Sequence, residues 1–311
     1  MKAKTMIEIE TNTGNTISIK TMEFAGGERH VVVDTKADLE KAGIVLPEFL
    51  IVRARIASSN DLMDLMLACN ALKAEYNTPL KLEIPYFPYA RQDRVCAPGQ
   101  AFSLNVMTNM VRSIVPKKIA VWDVHSHETV TRLWAINLTP GLMIRSILDA
   151  KIRDRLTDML HYDNLVVVCP DHGAEKRCHD VAELINADMI TCIKERDPTN
   201  GRIIRHDVPD VDLTGKTAFI IDDICDGGAT FIGIAQQLKK LGATKVVLWV
   251  THGIFSKGID VLTSSGIDWI CTTNSRPVEN HPAVHVIPFH YDFEDQRIIC
   301  DAENDLIENA A

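Results

Sequence analysis

Eight cysteines are scattered along the 311 residues without a single Cys-x-x-Cys pair. That absence argues against a structural zinc site. Cys69 and Cys192, set in strongly apolar segments, read as reduced core residues of a cytosolic protein. No apolar run reaches the roughly 18 residues that a membrane-spanning helix needs. Met1 to Lys20 is polar and strand-like, with no positive stretch followed by an apolar one, so the expectation is a soluble, cytoplasmic protein free of membrane. Basic tracts are missing as well: the net charge is -9, and the dipeptides Lys117-Lys118 and Lys239-Lys240 stand alone. Nucleic acid is therefore not an expected partner, and any polyanionic ligand must be met by a few local cations, backbone amides and a metal. Gly215-Lys216-Thr217 imitates the end of a Walker A loop, but Asp210 stands where the earlier glycine is required and the lysine opens a strand. Low-complexity tracts and long linkers are absent.

What is present is alternation. The length suggests about two domains, each able to bury a core without disulfides. Strand-like runs recur at Phe49 to Ile56, Leu80 to Phe87, Lys118 to Val124, Leu165 to Cys169, Ala187 to Ile193, Lys216 to Ile221, Lys245 to Val250, Ile267 to Cys271 and Val284 to Pro288. Helical patterns fall between most of them. Ser58, with Asp61 three positions on, is placed to cap a helix whose Leu62, Leu65, Met66, Cys69 and Leu72 share a face; Leu104, Met107, Val111 and Ile114 mark another, stopped by Pro116. Strand alternating with helix predicts an α/β protein of mainly parallel sheets covered on both faces. The domain join is expected near Pro140 to Asp149, dividing the chain into 1–145 and 146–311.

One stretch organises the rest. From Phe219 an apolar run breaks into Asp222 and Asp223, then Asp226, Gly227, Gly228, Ala229 and Thr230, and then into a helical pattern from Phe231 to Leu241 closed by Gly242. A turn at a strand's carboxyl end that opens a helix offers amides to an anion. Three carboxylates beside it would not favour a bare phosphate, but they would accept hydrogen bonds from the vicinal hydroxyls of a sugar. The stretch resembles the ribose-phosphate loop of the phosphoribosyltransferase family; a solvated acidic turn capping a helix is the plainer reading.

Other strand ends also carry ionisable groups. Ile84 to Arg94 ends in a rigid aromatic turn presenting Arg91 and Arg94, suited to bidentate grip of a triphosphate, with Gln92 able to hydrogen-bond a nucleotide. Surface arginines paired with Asp93 would look the same. Val121 to Glu128 and Val168 to Gly173 deliver His125 and Asp171, which together suit a Mg²⁺ ion whose other positions go to water and phosphate oxygens. A lone histidine at a strand end is also commonly a hydrogen-bonding residue. Lys194 and Arg196, following the run Ala187 to Ile193, fit the neutralisation of a phosphoryl group in flight, or simply a solvated strand end. The polar stretch Asp197 to Asp212, with a turn at Asp197 to Gly201, reads equally as surface loop or as lid.

With these pieces in order, the chain from about Phe24 to Phe255 resembles ribose-phosphate pyrophosphokinase, the PRPP synthetase family. Pro85 to Arg94, Asp123-Val124-His125 and Thr251 to Ser256 carry the resemblance most specifically. It implies two phosphoribosyltransferase-like domains, an ATP side and a ribose-phosphate side, in a homo-oligomer that is a hexamer built from dimers and dependent on Mg²⁺. It implies transfer of the β,γ-diphosphoryl group of ATP to the 1-hydroxyl of ribose 5-phosphate, giving PRPP and AMP. Carried over, Arg91 and Gln92 contact ATP, and Phe24 to Glu28, Gly26 included, reach adenine from a neighbouring subunit. His125 and Asp171 hold the metal, Lys194 and Arg196 stabilise the transferring group, and Asp222, Asp223, Asp226 and the turn to Thr230 hold ribose and its phosphate. The chain departs from the family where Gly227 and Ala229 replace the residues of the usual Asp-Thr-x-Gly-Thr turn, and where Gly26 replaces an Asp or Asn. A larger acceptor such as ADP-ribose therefore stands as the alternative. A non-catalytic associated subunit is another, although Lys194, Arg196, His125 and Asp171 would have no task in it. A plain phosphoribosyltransferase would leave Arg91 and Gln92 unexplained.

Overall fold

The helix Ser59–Tyr76 begins where the sequence places its cap: Ser58 Oγ accepts from the Asp61 amide, and the Asp61 carboxylate accepts from the Ser58 amide. Reciprocal capping satisfies donors the first turn leaves without partners. Leu62, Leu65, Cys69 and Leu72 then face inward together and are buried. The second expected helix, Ser103–Ser113, buries Leu104, Met107 and Val111 in the same way and stops before Pro116. The computed structural model of the protein describes residues 6–150, 155–160, 164–196 and 203–301. It divides into two units, Met1–Asn137 and Leu138–Ala311.

In the first unit the order is β1 (Ile7–Thr11), β2 (Thr16–Ile17), β3 (Ile19–Glu23), β4 (Arg29–Val33), α1 (Lys36–Lys41), β5 (Leu50–Ala54), α2 (Ser59–Tyr76), β6 (Leu80–Ile84), α3 (Ser103–Ser113), β7 (Lys118–Trp122), α4 (His127–Leu133) and β8 (Ile136–Leu138). The sheet runs β2-β1-β5-β6-β7-β8. Its central strands β5, β6 and β7 are parallel, and β1 lies antiparallel to β5. On β6, Leu80, Leu82 and Ile84 join the apolar core while the intervening Lys81 and Glu83 are also buried. Glu83 accepts from Arg53 Nε at 2.9 Å and Trp122 Nε1 at 3.0 Å, and the Lys81 ammonium sits 3.3 Å from the centre of the Phe49 ring. These partners make the burial of charge tolerable. Strands β3 and β4 form a separate hairpin.

The second unit continues with α5 (Pro140–Asp149), α6 (Arg155–Leu160), β9 (Leu165–Cys169), α7 (Glu175–Ile185), β10 (Asp188–Thr191), β11 (Ile193–Arg196), β12 (Ile203–Asp207), β13 (Thr217–Cys225) and α8 (Ala229–Lys240). It ends with β14 (Lys245–Gly253), α9 (Asp260–Thr263), β15 (Trp269–Thr273), β16 (Val284–Ile287), β17 (Phe289–Asp292) and β18 (Arg297–Cys300). Its six-stranded sheet is parallel throughout, in the order β10-β9-β13-β14-β15-β16. The chain leaves β9 in one direction to β10 and later returns to the other side as β13. The order therefore reverses between β9 and β13, and the carboxyl ends beside such a reversal form the crevice where open α/β sheets bind ligands.

Two expectations need correction. The run Ala187 to Ile193 is not one strand. The sheet strand β10 stops at Thr191, buried Cys192 donates its amide to the Cys169 carbonyl at 2.8 Å, and the chain then leaves the sheet. Lys194 and Arg196 accordingly lie on β11, which pairs antiparallel with β12 in a two-stranded ribbon, Lys194 opposite His206. The polar stretch Asp197 to Asp212 thus contains a strand rather than loop alone, and its turn at 197–201 lies outside the described residues. Among the described residues no helix is long and apolar enough to cross a membrane.

Candidate functional site

Strand β13 runs four residues past the apolar segment that predicted it. Asp222 still pairs in register with Val250, and Cys225 with Gly253, so the first two carboxylates sit within the strand and only Asp226 begins the turn. Helix α7 supplies their counter-charge. Arg177 NH1 lies 2.7 Å from Asp222 Oδ1 and 3.0 Å from Asp223 Oδ1, with all three side chains largely withdrawn from water. Burial, with Asp223 beside it, holds the Asp222 carboxyl well above the ordinary carboxylate range against the pull of Arg177.

The turn itself is shaped by two glycine positions. Gly228 adopts φ 76°, and a Cβ there would come within 2.6 Å of Leu262 Cδ2. No side chain caps α8, so its first-turn amides are left for a ligand. The loop after β14 closes over the turn: Ile254 and Phe255 donate their amides to the Cys225 carbonyl, Ser256 donates its amide to the Asp226 carbonyl at 3.1 Å, and Ser256 Oγ donates to Asp226 Oδ1 at 2.6 Å. Gly253 is the condition for this closure, because a Cβ at that position would lie 2.3 Å from Phe255 Cε2. Gly227, Ala229 and Thr230 complete the rim, partly or fully exposed.

Asp171 follows β9 on the other side of the reversal. It is half-buried and accepts the Gly173 amide at 2.9 Å, opening the short 3-10 turn His172–Ala174. Next to it the exposed His172 Nδ1 lies 2.6 Å from Glu175 Oε1, and that carboxylate raises the imidazole pKa.

In the first unit the aromatic turn after β6 is anchored by Phe87 and Ala90, both buried, while Tyr89 takes φ 63°. Arg91, Gln92 and Arg94 are exposed. Gln92 donates its amide to the Tyr89 carbonyl, accepts the Leu104 amide, and accepts at Oε1 from Ser103 Oγ. After β7, buried Asp123 adopts φ 34° and the Val124 amide is held by Asn137 Oδ1 at 3.2 Å, which leaves His125 exposed just before the Ser126 cap of α4. Phe24 to Glu28 is the turn of the β3–β4 hairpin; Phe24 is 51% exposed and leans on the His30 ring at 5.6 Å.

The structure thus brings Asp222, Asp223, Asp226, Gly227, Gly228, Ala229 and Thr230 into one site with Arg177 and Ser256. Neither of those two has a role in the sequence reading. The signal for Arg177 was available: two adjacent buried carboxylates require a cation, and Arg177 adjoins the buried Cys178 on the inner face of α7. Among the described residues no three metal-ligating side chains form a cluster. Taken each within its own unit, the exposed His125 imidazole and the half-buried Asp171 carboxylate are the kinds of donor that suit a magnesium ion held largely by phosphate oxygens and water, rather than one caged by protein.

The family model described as the N-terminal domain of ribose phosphate pyrophosphokinase matches residues 6–114, and that described as the phosphoribosyl synthetase-associated domain matches residues 206–286. The ribose-phosphate pyrophosphokinase of Thermococcus kodakarensis is 31% identical over 274 residues, spanning 87% of this chain and 90% of that protein. That of Pyrococcus abyssi is 30% identical over 281 residues, spanning 89% and 90%. A crystal structure of phosphoribosylpyrophosphate synthetase from Mycobacterium smegmatis superposes with a TM-score of 0.71 at 21% identity, covering 89% of this chain and 87% of that one, and shares the fold. The chain belongs to the ribose-phosphate pyrophosphokinase family.

Proposed function

We propose that this protein is a ribose-phosphate diphosphokinase, transferring the β,γ-diphosphoryl group of ATP to the 1-hydroxyl of ribose 5-phosphate to give PRPP and AMP. The observation that carries the reading is that similarity to proteins named for this activity extends over nine-tenths of their length, so both units are accounted for.

The acceptor half follows from the acidic turn. Asp222, Asp223 and Asp226 accept the ribose hydroxyls, while the amides from Gly227 to Thr230 take the 5-phosphate. Arg177 holds Asp222 and Asp223 in place, which fixes the sugar and aims its anomeric hydroxyl. On the nucleotide side Arg91 binds the triphosphate and Gln92, braced by Ser103, hydrogen-bonds the nucleotide. Phe24 and Glu28, with Gly26 between them, present the exposed hairpin turn that receives adenine, in a homo-oligomer, from a neighbouring subunit. Gly26 offers the base no side chain, so recognition there falls to backbone and to stacking on Phe24. Attack by the anomeric oxygen on the β-phosphorus expels AMP in line, and Lys194 and Arg196 neutralise the oxygens of the moving diphosphoryl group. Mg²⁺, bound through His125 and Asp171 with water and phosphate oxygens, would supply further charge neutralisation and alignment. The eight free thiols suit a reducing, cytoplasmic setting.

A second reading, transfer to a ribose bearing a 5-diphosphate ester such as ADP-ribose, is favoured by Gly227, which adds no side chain of its own to that edge of the turn. AMP release from ATP and Mg²⁺ with each acceptor decides between them. Turnover of ribose 5-phosphate is expected; turnover of ADP-ribose alone would establish the second reading, and turnover of neither would reject the activity.

A further inference from the structure

The two glycines at the heart of the acidic turn are there for different reasons. Gly228 is required by its left-handed backbone. Gly227 lies outside that region, and the three atoms nearest to a Cβ on it all belong to the stem of Lys257: Cε at 3.4 Å, Cδ at 3.5 Å and Cγ at 3.8 Å. A Cβ at 227 would make ordinary van der Waals contact with that stem, which places the lysine stem directly alongside the turn. The backbone beneath Lys257 is fixed as well, since the preceding residue, Ser256, is bound twice to Asp226. Lys257 is exposed, and among the described residues its ammonium has neither an ion pair nor a hydrogen bond.

The electrostatics of the turn need such a group. Asp222, Asp223 and Asp226 put three carboxylates beside the amides that receive phosphate, and Arg177 pairs with Asp222 and Asp223. Amide dipoles hold a dianion less well against that field. A flexible ammonium acting as a point charge offsets it without demanding fixed geometry. We propose that Lys257 is an acceptor-binding residue of this site, its stem lying alongside Gly227 and its ammonium meeting the phosphate on C5 of the ribose. The proposal rests on the acceptor half of the function given above. It applies to a monoester or to the first phosphate of a diphosphate ester.

The test is calorimetric titration of the full-length chain and of Lys257→Met, which keeps the stem and removes the charge, with ribose 5-phosphate, ADP-ribose and ATP as separate probes. Affinity for at least one ribose phosphate is expected to fall about tenfold, the magnitude of one charge-assisted contact, and the deficit to shrink as ionic strength rises. ATP affinity is expected to shift less than about twofold, and which acceptor responds identifies the source of the phosphate. Gly227→Val, which displaces the lysine stem, is expected to cost less acceptor affinity in the Lys257→Met background than in the parent, because the contact it disturbs is already gone. Equal binding of both ribose phosphates by parent and Lys257→Met overturns the proposal. So does an equal loss for ATP, and so does a parent that binds neither ribose phosphate. Failure of the catalytic reading would appear separately, as absence of AMP formation by a parent protein that still binds them.

Discussion

Arg177 answers two carboxylates with one guanidinium, and the consequence is a pH signature. Asp222 is held above its ordinary value, so between that ordinary value and the raised one the folded state keeps a proton the unfolded chain has released. Stability from this group is therefore full at low pH and declines as pH rises through the window. Removing Arg177 raises Asp222 further and extends the window upward. Arg177→Met is expected to cost about 3–5 kcal/mol at pH 8, the usual penalty for orphaning a buried charge, and distinctly less at pH 5. Thermal melts across that range check it; an equal loss at both ends would mean that the carboxylates do not share the guanidinium as the geometry requires. Lys194 belongs to the same scale. If it neutralises the diphosphoryl group in flight, Lys194→Ala should lower kcat by about 10²–10³, with a smaller effect on acceptor KM. A kcat within about twofold of the parent would remove it from that role.

At the scale of elements, legibility in the sequence followed periodicity. Helices α2, α3 and α8 were readable because their apolar residues recur at helical spacing and their ends carry caps or breakers. The strand-like character of Met1 to Lys20 covers β1 and β2, whereas the β3–β4 hairpin was missed: β3 buries so little of its surface that it leaves no apolar alternation to read. The break at Cys192 was invisible because Ile193 continues the apolar run even though it is exposed. The acidic turn was legible in composition but not in its supports: Arg177 and Ser256 come from elsewhere in the chain, and only the parallel register of β9, β13 and β14 brings them near. Within the turn, Gly228→Ala is expected to cost about 1–3 kcal/mol, since it combines a left-handed backbone with an overlap on Leu262. Urea unfolding measures this; a change under about 0.5 kcal/mol would show that α9 gives way freely.

For the whole molecule, the alternation of strand and helix announced two α/β units, and the absence of paired cysteines announced a chain without disulfides. The structure gives the second point a chemical form. Cys96 is exposed and Cys300 half-buried, while Cys69, Cys169, Cys178, Cys192, Cys225 and Cys271 are buried. Burial pushes the Cys69, Cys192 and Cys225 thiols up to about 12. Native protein should therefore react promptly with a thiol reagent chiefly at Cys96, and only denatured protein should titrate all eight; prompt native reaction of several thiols would contradict the buried assignment. The contact of Gly253 with Phe255 reaches further than its locality suggests. Because Phe255 and Ser256 belong to the crossover after β14 whereas the acidic turn belongs to the one before it, the shape of the turn is the joint product of consecutive crossovers. Transplanting β13 and α8 into a foreign sheet would carry the motif without its roof, and a matching sequence in another protein would not by itself guarantee the same turn.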